Sequence, residues 1–450
     1  MAEIAPFRGI LYTPQAGDPS KVLAPPYDVI SEAERVELEK LDPHNCVRLI
    51  LPQPEDPKES DSRYARAAKE LHKWIEEKAL ARDAAPAIYR YHQVFTVDGK
   101  QVTRKGFIAR IRLARFDEGI VLPHERTLSG PKADRLKLMR ATRAHFSQIF
   151  GLYSDPDRRT DVPFEAIERE KPAIEGHTTD GVAHRLWRLT DAAAQHAVMK
   201  LLEDKKIYIA DGHHRYETML ALREELRKEA GGDAPGDDKA RSAVEYGVMF
   251  FCNMDDPGLV VLPTHRVVHG LPSFDRASFL SRAREYFTVS EGPMADPLVV
   301  KRALAGHGKR GPTFALLTPG YDTIAYLRVR GDLVVSSVAA MAGQAKELLQ
   351  LDVALLHGLV IESLLGIDRA AQEKQTNLRY SKDTVKAFDE LRAPGVQAIF
   401  LMNPTLVSQV KAVADVGEVM PQKSTFFFPK IASGLVVNPI DPAERVPVVD

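Results

Sequence analysis

Lys205-Lys206-Ile207-Tyr208-Ile209-Ala210-Asp211-Gly212-His213-His214-Arg215-Tyr216-Glu217-Thr218 passes from an apolar run through a polar block into a segment with a helical rhythm. Ile207 to Ala210 is short and rich in β-favouring residues, which predicts a buried strand. Met219, Leu222 and Leu226 recur at the spacing of one helix face. Gly212 stands at the join, where a missing Cβ lets a ligand approach the backbone. Helix starts leave amides without intrahelical partners and favour anions. His213, His214 and Arg215 would add imidazoles and a bidentate guanidinium, so the stretch is expected to cradle a phosphate. Open α/β sheets bind ligands at such turns. The plainer alternative is a capped helix start, with Asp211 as N-cap and Arg215 paired to an acid such as Glu217. Adjacent histidines point apart on a helix, so no protein metal ligands are expected.

The chain has 450 residues, 44% hydrophobic and 27% charged, enough for two or three domains. A formal net charge of -1 gives no global field toward nucleic acid or anionic membranes. Cys46 and Cys252 lie far apart in apolar stretches, which predicts buried thiols in a reducing compartment and no disulfide framework. Met1 to Arg8 lacks a basic region followed by an apolar run, and no stretch reaches membrane-spanning length. The expectation is a soluble, cytoplasmic protein with no membrane partner.

In chain order, Val22 to Ile30 is an extended segment whose Pro25 and Pro26 would present Tyr27 and Asp28 rigidly. It could equally be an entry turn, with Ser31 capping a helix from Glu32. Asn45 to Pro52 reads as a strand, and Ser62 to Ala81 as an amphipathic helix burying Leu71, Trp74, Ile75 and Leu80. Ala87 to Val97, Asp98-Gly99 and Arg104 to Leu113 read as a β-hairpin. Leu122 to Arg135 forms a second polar cluster. There Thr127, Ser129, Lys132 and Arg135 could grip oxyanions while His124 or Glu125 supplies a base. It is not a Walker A loop. A helix from Lys132 through His145, a strand at Ile149 to Tyr153, and helical and turn segments over 155–190 follow.

Beyond the central block, Gly231 to Asp238 is a solvated loop, Tyr246 to Met254 a strand, and Val260 onward a strand ending in Thr264, His265 and Arg266. Residues 272–335 change rhythm and suggest a small α+β insert. Gly306 to Gly311 matches Gly-x-Gly-x-x-Gly but follows a helix and precedes a strand, the reverse of a dinucleotide site. Leu349 to Leu365 reads as an apolar helix, Ala398 to Asn403 as a strand, and a helix starts at Thr405. Lys423, Ser424 and Thr425 then place a cation and two hydroxyls before an aromatic strand, suited to a phosphate or carboxylate.

Ala210 to Thr218, with Pro25-Pro26-Tyr27-Asp28, Leu122 to Thr127, Leu262 to Arg266 and Met420 to Thr425, resembles the bacterial and archaeal domain of unknown function 1015 family over nearly the whole chain. The central block is similar to the Gly-x-His-Arg type signature of the ParB and sulfiredoxin-like superfamily, whose members place it against nucleotide phosphates. The resemblance implies an α/β fold of mixed sheets, with a ParB/sulfiredoxin-like core and added α+β subdomains. The expected divisions are 1–160, an N-terminal α/β segment contributing to the site; 161–271, carrying the central motif; 272–340, the insert; and 341–450, a C-terminal α/β segment.

Through the free-serine kinases of that superfamily, it further implies a phosphotransferase acting on a hydroxyl metabolite, with free serine a candidate. The donor would be ATP, ADP or pyrophosphate with Mg2+, the metal following from phosphate charge rather than a visible ligand set. Gly212, His213, His214, Arg215, Lys132 and Arg135 would hold phosphate. His124, Thr127, His265, Arg266, Lys423, Ser424 and Thr425 would hold substrate. Glu125, Asp28 and Asp211 are the catalytic candidates, expected to converge with His213, His214 and Arg215 in one cleft. The alternative is a ParB-type nucleotide-binding regulator without kinase activity. Near-neutral charge and the lack of a helix-turn-helix signal disfavour nucleic acid as a partner, and a sulfiredoxin-like reductase would need a cysteine in the central motif.

Overall fold

The computed structural model describes residues 1–54, 56, 58–125, 129–229 and 240–448, with 129–131 known only as part of a helix. The chain forms two compact units: Met1–Pro123, Thr127–Val260 and Pro429–Asp450 make the first, and His124–Arg126 with Val261–Phe428 make the second. This differs from a run of four consecutive segments. The last residues of the chain return to the first unit, and three residues after Pro123 belong to the second.

The first unit is built on a mixed nine-stranded sheet. Val121–Leu122 pairs in parallel with Ile207–Asp211, which runs antiparallel to Ile149–Tyr153; that strand lies parallel to Tyr246–Asn253. Antiparallel pairing then continues through Lys100–Arg112, Ile88–Val97, Ala183–Leu189 and Ile174–His177. The three central apolar runs are buried along their length, as strands covered on both faces must be. The expected hairpin turns on Asp98 (φ 50°) and Gly99 (φ 76°), both left-handed, which matches the twist of the flanking strands. Ser31 caps the helix Glu32–Leu41 in a reciprocal box with Glu34.

Several expected elements differ. Asn45 to Pro52 is not a strand but carries the single helical turn Val47–Ile50, because the Asn45 side chain accepts from Val47 N at 2.9 Å and donates to Lys21 O at 2.7 Å. The helix Ser62–Glu76 buries Tyr64, Ala67, Leu71 and Trp74, leaves Ile75 37% exposed, and stops before Leu80, which opens the strand Leu80–Arg82. Residues 155–190 contain two strands missed by composition, since Ala183–Leu189 interleaves charges with apolar residues at the sheet's outer region. The predicted loop Gly231 to Asp238 lies outside the described residues.

The second unit holds an antiparallel six-stranded sheet in the order Phe287–Pro293, Thr323–Val329, Thr313–Leu317, Val396–Met402, His265–His269, Leu378–Ser381. Residues 272–340 are therefore not a separate insert, because their strands share a core with Val267, Ile399 and Leu401. The chain after Leu262 re-enters a sheet at His265 rather than ending in a loop. Leu349 to Leu365 is a short α-helical turn, Asp352–Leu355, widening into a π-helix, Leu356–Leu364. Among the described residues no helix is long and apolar enough to cross a membrane.

Gly106 fixes the approach of two central strands: a Cβ there would lie 2.4 Å from both the Phe251 carbonyl oxygen and the Phe250 ring. Backbone cannot swing aside as a side chain can, so Gly106→Ala should lower stability by about 1–3 kcal/mol. Urea unfolding of the variant checks this.

Candidate functional site

The strand Ile207–Asp211 carries an irregularity just before the polar block: Ile209 pairs with Gly151, yet Asp211 pairs with Phe150. Such a bulge re-aims the side chain that follows it. Gly212 then takes φ 91°, and a Cβ on it would meet the Arg215 Nε at 2.9 Å. Glycine is required twice over, for the left-handed backbone and for the guanidinium lying against it. The helix His213–Glu229 starts immediately afterwards.

Asp211 ends the strand and does not cap the helix. Its carboxylate accepts from Arg215 and from Lys430, and Arg215 also donates to the Gln148 carbonyl. Arg215 is only 5% exposed, so its guanidinium is largely an internal group. Arg104, fully buried, donates to Gln93 and to the Pro429 carbonyl, stacks over Phe150 at 4.6 Å, and feels the Asp211 charge. Burial alone would raise the Asp211 carboxyl, but the charges of Lys430 and Arg215 outweigh it and hold the group well below the usual carboxylate range. His213 is buried beside it and adds to the same effect.

Tyr27 and Asp28 open a 3-10 turn next to this cluster. Arg135 stacks on the Tyr27 ring at 4.2 Å, donates to the Ile50 carbonyl at 2.6 Å and pairs with Asp134. Its guanidinium is thus engaged as a brace for Tyr27, not presented to a phosphate. Lys132 pairs with Glu217, the acid that the capped-helix alternative assigned to Arg215. A cavity of about 30 Å3 between Tyr27, Arg135, His145, Ser147, Arg215 and Met219 has room for one water-sized group. Asp28 is exposed, and its carboxylate has no hydrogen-bond or ionic partner among the described residues. Lys430 and Arg104 were missed by sequence reading. The only signals were a lysine directly after the aromatic run 426–428 and an arginine inside a hairpin strand.

Three of the remaining motifs meet in the second unit. His124 contacts Thr425 Oγ1 at 3.0 Å, its carbonyl accepts from Met420 N at 2.9 Å, and Glu125 accepts from Lys423 N at 3.2 Å. Arg266 is fully buried and donates to the Thr264 and Lys423 carbonyls and to His357 Nε2. Met402 N donates to His265 Nδ1, so His265 Nε2 carries the proton and donates to Thr384 at 3.1 Å. Burial pushes His265 down to about 3, which keeps it neutral. Ser424 donates to the Pro421 carbonyl. His265, Arg266 and Ser424, expected to touch substrate, are internal braces here, because their polar atoms are spent on neighbouring chain. Thr127 lies outside the described residues, as does the Ser129 side chain. Glu125 belongs to the second unit, and Asp28 and Asp211 to the first.

The family match spans residues 4–354. The chain belongs to the family described as protein of unknown function (DUF1015). No curated protein matches it. Among solved structures, a conserved hypothetical protein from Pyrococcus furiosus is 14% identical, covers 69% of this chain and 89% of that one, and has a TM-score of 0.32. A free serine kinase in complex with ADP is 12% identical, with 73% and 88% covered and a TM-score of 0.32. SbnI with a C-terminal truncation, from Staphylococcus aureus, is 10% identical, with 70% and 83% covered and a TM-score of 0.29. Likeness at this level carries no functional argument. Among the described residues no group of three or more His, Cys, Asp and Glu side chains could hold a metal ion.

Arg215→Ala would strip one partner from a half-buried carboxylate and orphan the Gln148 carbonyl. It should cost about 3–5 kcal/mol, read as a lowered urea midpoint. The pH dependence follows from the sign of the Asp211 shift. A depressed folded value means its contribution is full above the unfolded carboxylate range and is lost as pH falls through the folded value. Asp211→Asn should therefore be less stable than the parent at neutral pH, and the two denaturation midpoints should begin to close only below about pH 4.

Proposed function

We propose that the protein is a small-molecule phosphotransferase that binds the phosphates of ATP, ADP or pyrophosphate at the joint from Asp211 to Arg215 and transfers one to a hydroxyl metabolite, with free serine the first candidate. The observation that carries this reading is the charge imbalance there. Arg215 and Lys430 both bond to the half-buried Asp211 carboxylate at the start of a 17-residue helix, His213 adds to their effect, and Arg104 lies close enough to feel the same charge. A positive excess in low dielectric at a helix N-terminus is the field that a phosphate seeks.

Within this reading Asp211 is a positioning residue. Its oxygens hold Arg215 and Lys430, whose charges disfavour its taking a proton. The base is Asp28, an exposed carboxylate on the turn beside Tyr27 with no hydrogen-bond or ionic partner among the described residues; its charge and that of Arg215 both act on the Tyr27 hydroxyl. It would accept the proton of the acceptor hydroxyl as that oxygen bonds to phosphorus and the donor's bridging oxygen leaves with the electron pair. Mg2+ fits only as an ion carried largely by the donor's phosphates and water, since no carboxylate cluster is present among the described residues.

The test incubates the protein with ATP, ADP or pyrophosphate and a panel of hydroxyl metabolites headed by serine, in magnesium. Phosphorylated product is expected. Asp28→Asn should lower kcat by about 100-fold or more while donor affinity, read by calorimetry, is kept. Donor binding without turnover of any acceptor would leave the nucleotide-binding regulator as the better account, and absence of both would end the phosphate reading.

A further inference from the structure

The second unit contains a cavity of about 330 Å3, bounded by residues 340–348, the π-helix, the segment 369–373, Tyr380 and the segment 418–422. That volume is in the range of small-molecule sites. The π-helix supplies His357, Gly358 and Glu362 to its wall. Winding Leu356–Leu364 more widely offsets the residues along it, and Ser363 Oγ bonds back to the Gly358 carbonyl at 2.7 Å. Gly358 lies against Met341, whose sulfur would stand 2.0 Å from a Cβ there, so a larger residue would have to push the Met341 side chain aside.

The cavity's polar floor is fixed in advance. Arg266 can only donate, so His357 Nε2 accepts from it, and His357 Nδ1 carries the proton that goes to Gln372 Oε1 at 2.6 Å. The Gln372 amide nitrogen is in turn held by the Ile367 carbonyl at 2.8 Å. Charge around the opening is unbalanced in the negative sense. Glu362 is matched by Arg369 at 3.5 Å, while Glu373 and Glu418 have no cationic partner among the described residues. The Tyr380 hydroxyl also has no hydrogen-bond partner there, and the rest of the wall sets apolar Leu348, Ala354, Val419 and Met420 beside polar Gln344 and Gln422. Two unmatched carboxylates over a chamber that is part apolar and part polar suit a small molecule with an ammonium head, an apolar body and a hydrogen-bonding group.

We propose that this cavity is a binding site for a small organic ammonium compound. It stands apart from the phosphate site, since none of Asp211 to Arg215 lines the cavity. Gln422 and Met420 line it, and Met420 N is also the donor that holds the His124 carbonyl beside Glu125, so an occupant bears on the segment that positions Glu125.

Calorimetry without nucleotide tests it, using tyramine and hexylamine as probes and N-acetyltyramine as the uncharged control. One or both amines should bind at about 1 mM or below. Glu373→Gln with Glu418→Gln should weaken that binding about tenfold or more through loss of charge-assisted contacts. Ala342→Trp, at an exposed lining position, should block it by filling the chamber, with circular dichroism confirming that each variant folds. The proposal is overturned if neither amine binds, if the uncharged control binds as well as tyramine, or if binding survives both sets of substitutions in folded protein.

Discussion

The ion cluster around Asp211 is the contact on which the first unit's arrangement turns. A carboxylate at the end of a central strand would be costly to desolvate alone. Two cations satisfy it, and they come from widely separated parts of the unit's sequence: Arg215 from the helix just begun, Lys430 from the segment that closes the chain. The same closing segment meets other buried charges of the sheet. Arg104 donates to the Pro429 carbonyl, Gln93 to the Lys430 carbonyl at 2.9 Å, and Arg110 to Asn438 and Glu444. The final residues are thus held by polar bonds to groups that would otherwise be orphaned inside the sheet, as well as by apolar contact.

The second unit solves the same problem without a carboxylate. Arg266 is as deeply buried as Arg104, yet its donors meet carbonyls and a neutral imidazole. Burial pushes both His265 and His357 down to about 3, and each is fixed in one tautomer by what its other nitrogen must do. Such a network keeps its hydrogen bonds unchanged across the neutral range. It is a rigid frame for the segments carrying His124, Glu125 and Lys423, and a poor source of protons.

Legibility in the sequence followed how local each feature's cause is. The strand-to-helix joint, the Asp98-Gly99 hairpin and the Ser31 cap were readable because their determinants sit within a few residues. Asn45 to Pro52 misled because a single asparagine side chain, bonding to a distant carbonyl, overrode a run of β-favouring residues. The site residues were found as motifs, but their duties were not. Whether an arginine faces solvent or braces a carbonyl depends on what the far parts of the chain bring to it. Lys430 answers Asp211 across 219 positions, and no spacing rule reaches that far.

The two acidic candidates of the first unit divide along the same physical line. A group that is to accept a proton needs an unoccupied lone pair and access to the reacting oxygen. Asp211 is poorly suited, being half-buried and bonded on both oxygens, with its charged form strongly favoured by its neighbours. Asp28 lies on an exposed turn whose backbone is set by the two prolines before it, and its carboxylate has no hydrogen-bond or ionic partner among the described residues. Pre-organisation and reactivity are then supplied by different carboxylates. In the proposed reaction the half-buried one fixes the positive field that draws a phosphate in, and the exposed one is left free to respond to whatever hydroxyl arrives.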